Sequence, residues 1–329
     1  MREQLSCFGD SSVGVATSVS GGGALDRALQ AATTSVYRAA LPSSSSSSSS
    51  GKEMLIIRVT WTRSAAGAPG LAVAFDEQEQ GDLSPSSSSA SRKKKNKSQQ
   101  QQQLVLQKRR GSRSLVTGGG TVVGVHWDTA EAKYTSTAEP DGGEYYLAVV
   151  ADGALALLLG SGRAARQLTR RHGFFIGSDG FSIGSAALVS RREQVRVGGS
   201  TAAAAHVTRC RFSEGGEEHE VAVHTSPRRR RTGEEVVWVS IDGEKVAEVR
   251  RVGWGFRGNR AAVLPDGEIV DVMWDVHDWW FGGNGGNNGA QFMVRARAEK
   301  EGRLWMAADE RHAAAGGGGF FLHVQCYPR

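Results

Sequence analysis

The densest set of chemically capable side chains in this sequence is MWDVHDWWF, Met273 to Phe281, where His277 stands between Asp275 and Asp278 and is followed by Trp279, Trp280 and Phe281. An imidazole flanked by carboxylates can act as a general base or a metal ligand, and a run of aromatic rings can offer a face to a sugar or a nucleic-acid base. A second stretch tempers that reading. HWDTAEAKY, His126 to Tyr134, has the same pair at Trp127 and Asp128, but Ala130, Glu131, Ala132 and Lys133 stand where the other has His277, Asp278, Trp279 and Trp280. What both stretches keep is most simply explained by folding: an indole in a core, and a carboxylate that caps the next turn or pairs with an arginine. What only one carries is the better candidate for function, although aromatics of this kind are also ordinary core material. His277, Asp278, Trp279 and Trp280 are therefore the candidate binding residues. No catalytic, cofactor-binding or metal-ligating residue is assigned, and no cofactor is expected.

Other chemistry is sparse. Basic clusters at Arg92 to Lys97, Lys108 to Arg113, Arg163 to Arg171, Arg191 with Arg192, and Arg228 to Arg231 would attract phosphates if folding gathered them on one face. The formal net charge is only +6, neighbours such as Glu193 offset part of it, and the longest runs lie in loop-like stretches. A solvated surface is the simpler account, so nucleic acid is not the expected partner. Arg92 to Lys97 also fits a nuclear-import signal. GGGTVVG, Gly118 to Gly124, resembles a phosphate loop only superficially, because a strand pattern rather than a helix follows it. GxSxG, GxxxxGK[ST] and HExxH are absent, and Ser178-Asp179-Gly180 and Glu217-Glu218-His219 read as turns.

Cys7, Cys210 and Cys326 are an odd number with no CxxC spacing, which supports neither a disulfide framework nor a structural zinc site. The longest nearly apolar run, Ala154 to Leu159, is far short of the roughly 20 residues of a membrane helix, so no membrane span is expected. Glu3, Asp10 and Asp26 interrupt the first 40 residues, where a secretory signal would need a continuous apolar core. Cytoplasm or nucleus is the expected compartment.

The elements that must hold the candidate residues are strands. Alternation recurs at Leu55, Ile57, Val59 and Trp61, at Leu71, Val73 and Phe75, at Val221 and Val223, and at Val237, Val239 and Ile241. Asp-Gly pairs at 141–142, 152–153, 242–243 and 266–267 supply the left-handed positions of tight hairpin turns. Helical patterns are confined to Ser161 to Arg171 and to Ser185 to Val195, and the second reads equally well as a strand. Serine runs at Ser43 to Ser50 and Ser86 to Ser89, the basic run and the glutamines Gln99 to Gln103 cannot bury enough apolar area to offset the entropy of ordering them.

Self-similarity is the strongest signal. Trp274 lies 147 residues after Trp127, and the same offset places Arg257 on Arg110, Gly258 on Gly111, Arg260 on Arg113, Gly267 on Gly120 and Asp275 on Asp128. Upstream the offset becomes 166, placing Val221 on Leu55, Val237 on Leu71 and Ile241 on Phe75, and the difference matches the filler near 82–103. VYRAAL at Val36 to Leu41 likewise matches VTRCRF at Val207 to Phe212. The expected fold is all-β and mainly antiparallel: two sandwich-like or barrel-like halves related by pseudo-twofold symmetry, with one or two short helices in the connection. Residues 1–33 are expected as a tail, 34–160 as the first repeat with an insert near 82–103, 161–205 as the connection, 206–298 as the second repeat, and 299–329 as a C-terminal segment with a final strand.

LVSRREQV at Leu188 to Val195, GWGFRGNR at Gly253 to Arg260 and VDVMWDVHDWWF at Val270 to Phe281 resemble the plant family catalogued as domain of unknown function 868, over about Ser35 to Ala296. The resemblance implies a plant origin and no established activity, and it transfers no site residues. The expected function is a non-enzymatic β-rich binding or interaction module with a groove where the halves meet and a protein or a carbohydrate as partner. The alternatives are a carbohydrate-active or metal-dependent enzyme centred on His277 and Asp278, and a phosphate- or nucleic-acid-binding module.

Overall fold

The computed structural model describes residues 25–26, 28–41, 53–79, 102–135, 137–171, 186–197, 204–213, 215–226, 235–251, 255–282, 289–297 and 320–328. In chain order they form four antiparallel meanders of four strands. The first is β1 (Leu29–Ala40), β2 (Glu53–Ser64), β3 (Pro69–Glu79) and β4 (Gln102–Val105), and the second is β5 (Arg110–Val116), β6 (Val122–Lys133), β7 (Gly142–Ala151) and β8 (Ala154–Ser161). Helix α1 (Arg163–Arg171) and strand β9 (Ala187–Val197) follow. The third meander is β10 (Ala204–Cys210), β11 (His219–Thr225), β12 (Val236–Ile241) and β13 (Glu244–Arg250). The fourth is β14 (Arg257–Val263), β15 (Ile269–Asp275), β16 (Ala290–Ala296) and β17 (Phe321–Pro328), with helix α2 (His277–Phe281) between β15 and β16.

The all-β, mainly antiparallel expectation holds, with two short helices and no closed barrel among the described residues. β9 pairs antiparallel with β1 and parallel with β17, so the first and fourth meanders join into one sheet of order β14-β15-β16-β17-β9-β1-β2-β3-β4. The second and third meanders are separate four-stranded sheets. Both lie on one face of the long sheet. Arg191 and Glu193, two residues apart on β9 and so on the same face, reach Glu139 beyond β6 and His206 on β10 respectively. Alternate residues fill the space between the layers, including Leu55, Ile57, Val59 and Trp61 from β2, Val123, Val125 and Trp127 from β6, and Val221 and Val223 from β11, in one contiguous apolar cluster through both regions. Trp61 meets Tyr145 edge-on across the layers, with ring centroids 6.2 Å apart.

The β7–β8 and β12–β13 hairpins turn on Asp152-Gly153 and Asp242-Gly243, whose positive φ at both positions matches the right-handed twist of the flanking strands. Asp141 instead closes a longer β6–β7 connection, where its carboxylate accepts the Thr135 N–H. α1 follows the predicted helix and lays Ala165 and Leu168 over Ala148, Val150, Leu155 and Leu158, the outer apolar side of β7 and β8. No described helix is long and apolar enough to cross a membrane.

Several expected boundaries move. β1 starts at Leu29, inside the predicted tail, and β4 starts at Gln102, inside the predicted insert, because the hydrogen-bonded ladder extends past the apolar pattern. β8 and β9 both take residues assigned to the connection or its edge, and β9 is a central strand. The final strand, β17, is present and fully integrated. The remaining residues of the serine, basic and glutamine runs, Arg228 to Arg231 and Ser178-Asp179-Gly180 lie outside the described residues.

The strand pairings repeat between the two regions. Arg110 faces Asp128 and Gly111 faces Trp127 on β5–β6, while Arg257 faces Asp275 and Gly258 faces Trp274 on β14–β15. Upstream, Phe75 faces Ile57 and Ile241 faces Val221, so pairing puts Val221 in the place of Ile57 rather than Leu55. A two-residue shift keeps the same face inward, which is why alternation alone could not register it.

Candidate functional site

The candidate residues sit where β15 ends. Gly258, directly across the ladder, has no side chain there: a Cβ would collide with Trp274 Cζ2, so only glycine lets the indole lie across the neighbouring strand. The indole N–H donates to the Gly255 carbonyl at 2.9 Å. Asp275 makes two contacts: Oδ2 pairs with Arg257 Nε at 2.7 Å and Oδ1 accepts the His277 N–H at 3.1 Å. Val276 donates its N–H to the Phe256 carbonyl and buries its side chain completely. The chain therefore leaves the ladder at a pinned point and turns into α2, which Gly282 ends by donating to the Asp278 carbonyl.

The first region builds the same frame. Trp127 donates to the Lys108 carbonyl at 2.8 Å, Asp128 accepts the Ala130 N–H at 3.0 Å, and Arg110 Nε lies 3.7 Å from Asp128 Oδ2. A Cβ on Gly111 would stand 2.6 Å from Trp127 Cζ2. Both expected roles of the Trp-Asp pair, indole packing and a carboxylate that both caps and pairs with Arg, are present. Trp127 is buried and Trp274 is half-buried. Beyond this frame the regions part: β6 runs on to Lys133 through a bulge after Asp128, whereas the second region forms α2.

α2 gathers an aromatic cluster. Phe256 meets Trp280, Phe281 and His277 edge-on at centroid distances of 5.7, 5.1 and 6.4 Å, and His277 lies 5.4 Å from Phe281. Trp279 points back to donate its N–H to Glu235 Oε1 at 3.0 Å, and both tryptophans pack against the core. The other side faces solvent: Phe281 is 49% exposed, and His277 and Asp278, bonded to each other at 2.9 Å, are 45% and 51% exposed. His277 and Asp278 are thus together and accessible, while Trp279 is partly a structural brace. Among the described residues, the only side-chain hydrogen bond of either His277 or Asp278 is to the other.

Two further clusters escape sequence reasoning. On β9, Glu193 is wholly buried; its Oε1 takes Arg191 Nε at 2.5 Å and the Thr208 hydroxyl at 2.7 Å, and its Oε2 lies 2.6 Å from His206 Nε2. Arg191 also reaches Glu139 at 2.7 Å. Burial alone would raise the Glu193 carboxyl, but Arg191, His206 and Thr208 outweigh it and hold it at about 2. Arg191 and Arg192 resemble surface charge in the sequence, yet Arg191 is locked between two acids. A charged triplet inside a strand-length apolar run is the signal that could have found it. The second cluster is His219 with Asp242, Asp266 and Glu268, three turn segments that sequence separates by up to 49 residues but the fold brings together. In the sequence its aspartates signal only turns.

No curated protein and no solved structure matches this chain. A family model does, over residues 28–319, wider at both ends than the three motifs suggested. Both Trp-Asp frames, β9 and α2 fall inside that span. The chain belongs to the family described as plant protein of unknown function (DUF868).

Proposed function

We propose that this protein is a non-enzymatic interaction module, a doubled all-strand scaffold that presents the α2 turn to a protein partner. The observation that carries the reading is the unequal elaboration of two like frames. The first region completes its Trp-Asp frame with Ala130, Glu131, Ala132 and Lys133, so the frame does not need an aromatic cluster, whereas the second adds one and leaves Phe281 and the His277–Asp278 pair in solvent. Aromatic groups rimmed by polar ones are what protein interfaces bury at their centres.

Phe256 packs edge-on against Trp280 and Phe281, a compact aromatic cluster of the kind that protein interfaces bury. Doubling is supported by the repeated pairings and by strand order. A half-turn about an axis along the strands would exchange β1–β4 with β10–β13 and β5–β8 with β14–β17, with β9 added to one layer only. Free, buried Cys210 and Cys326 accord with a reducing compartment, cytoplasm or nucleus.

The test is crosslinked capture from plant extract by the full chain and by a His277→Ala, Phe281→Ser double variant of unchanged melting temperature. Proteins held by the wild type should fall at least about tenfold with the variant. Equal capture by both would overturn the reading, and a change in tryptophan fluorescence on adding soluble oligosaccharides would reassign the surface to sugars.

A further inference from the structure

His219 opens β11 and is buried where three turns of the second region meet. Its Nδ1 lies 2.7 Å from Asp242 Oδ2, in the β12–β13 turn, and its Nε2 lies 3.3 Å from Asp266 Oδ2, in the β14–β15 turn. Glu268 completes the group: ligand atoms of His219, Asp266 and Glu268 all lie within 4.8 Å of one another. Glu268 Oε2 is closed to solvent and has no hydrogen-bond partner among the described residues. Phe212 stacks on the imidazole at 6.0 Å and fixes its plane.

An exposed Asp266 on Nε2 and a half-buried Glu268 close by, with one Glu268 oxygen shut off from solvent and unbonded among the described residues, is a costly arrangement unless positive charge sits among them. The spacing suits a cation. Ligands at about 2.0 to 2.1 Å around a tetrahedral centre stand about 3.3 Å apart. That is the His219–Asp266 separation, whereas an N–H···O bond prefers about 2.9 Å. Asp242 on the opposite ring nitrogen matches the carboxylate–histidine–metal arrangement, in which the second partner fixes the tautomer and turns the other lone pair toward the ion.

We propose that His219 Nε2, Asp266 and Glu268 bind a divalent first-row transition ion, with Asp242 orienting the histidine and solvent completing the shell. One nitrogen and two carboxylate donors suit Zn2+ better than Ca2+ or Mg2+, which take oxygen ligands alone. His219 and Asp242 belong to the sheet β10–β13, and Asp266 and Glu268 to the turn that joins β14 and β15, so the ion clips two layers together and its binding appears as stability. The first region closes the matching corner differently, with the Thr117 hydroxyl donating to Glu77.

Zn2+ alone is the probe, titrated into the full chain after stripping with chelator and dialysis. One Zn2+ should bind per chain and raise the melting temperature. Glu268→Gln should bind at least about tenfold more weakly and Asp242→Asn about 10- to 100-fold more weakly. The metal-free Glu268→Gln protein should melt at or above the wild type, because a solvent-closed, unbonded carboxylate oxygen is gone, which also shows that it folds. Co2+ in place of Zn2+ should give the visible bands of a tetrahedral nitrogen–oxygen site without thiolate charge transfer. Melting indifferent to Zn2+ would overturn the assignment, as would binding that Glu268→Gln leaves intact or a thiolate band pointing to cysteine.

Discussion

Single residues decide how the Trp-Asp frame works. An indole can cross to the next strand only where that strand has no Cβ, and both regions meet the condition, at Gly111 and at Gly258. Gly258→Ala should therefore cost about 1 to 3 kcal/mol by overpacking. Trp127→Ala should cost about 3 to 5 kcal/mol through the cavity it leaves, and Trp274→Ala less, because its ring is half-buried. Urea unfolding midpoints check all three. A Trp127→Ala midpoint equal to that of the wild type would mean the indole contributes nothing to the core.

Among the elements, β9 stands apart because it joins two meanders that would otherwise end in open edges, and it does so with charge buried on the face that looks at both. Glu193→Ala strips Arg191 of one partner inside the layers and should cost about 3 kcal/mol. Acid dependence follows from two depressed groups. Glu193 is held at about 2 against an ordinary 4.5, so the stability it supplies is complete above about pH 4.5 and drains as pH falls toward 2. His323 on β17 is lowered to about 3 from 6.5, by burial and then by Arg192, so its contribution is complete above about pH 6.5 and is lost as pH falls toward 3. Melting temperature against pH should show both losses: His323→Gln should flatten the fall between pH 6.5 and 3, and Glu193→Gln the fall between 4.5 and 2. Unchanged profiles would mean that neither side chain is buried in the charge state described.

At the scale of the whole molecule, one sheet of nine strands and one apolar cluster run through both regions, so the expected unfolding is a single cooperative transition. Circular dichroism and tryptophan fluorescence should coincide during urea unfolding. Separated transitions would show that the two regions are independently stable and that β9 is only a linker. The same continuity bears on the expected groove: where the regions meet, Glu193, His206 and Thr208 are buried, and they and the half-buried Arg191 are paired through Glu193. The accessible aromatic surface lies at the end of β15 instead.

The amino-acid sequence by itself determined the strand-rich class, the tight Asp-Gly turns, α1, the recurring Trp-Asp frame and the candidate residues around His277, because each is written in spacings of a few residues or in a repeat of fixed offset. Tertiary structure alone decided that β9 is central, that Trp279 braces on Glu235, and that His219, Asp266 and Glu268 converge. Those outcomes depend on which strands pair and which layers stack. Alternation gives a strand its two faces but not its neighbours, and a charged strand enters a core only when the opposing strands supply its partners.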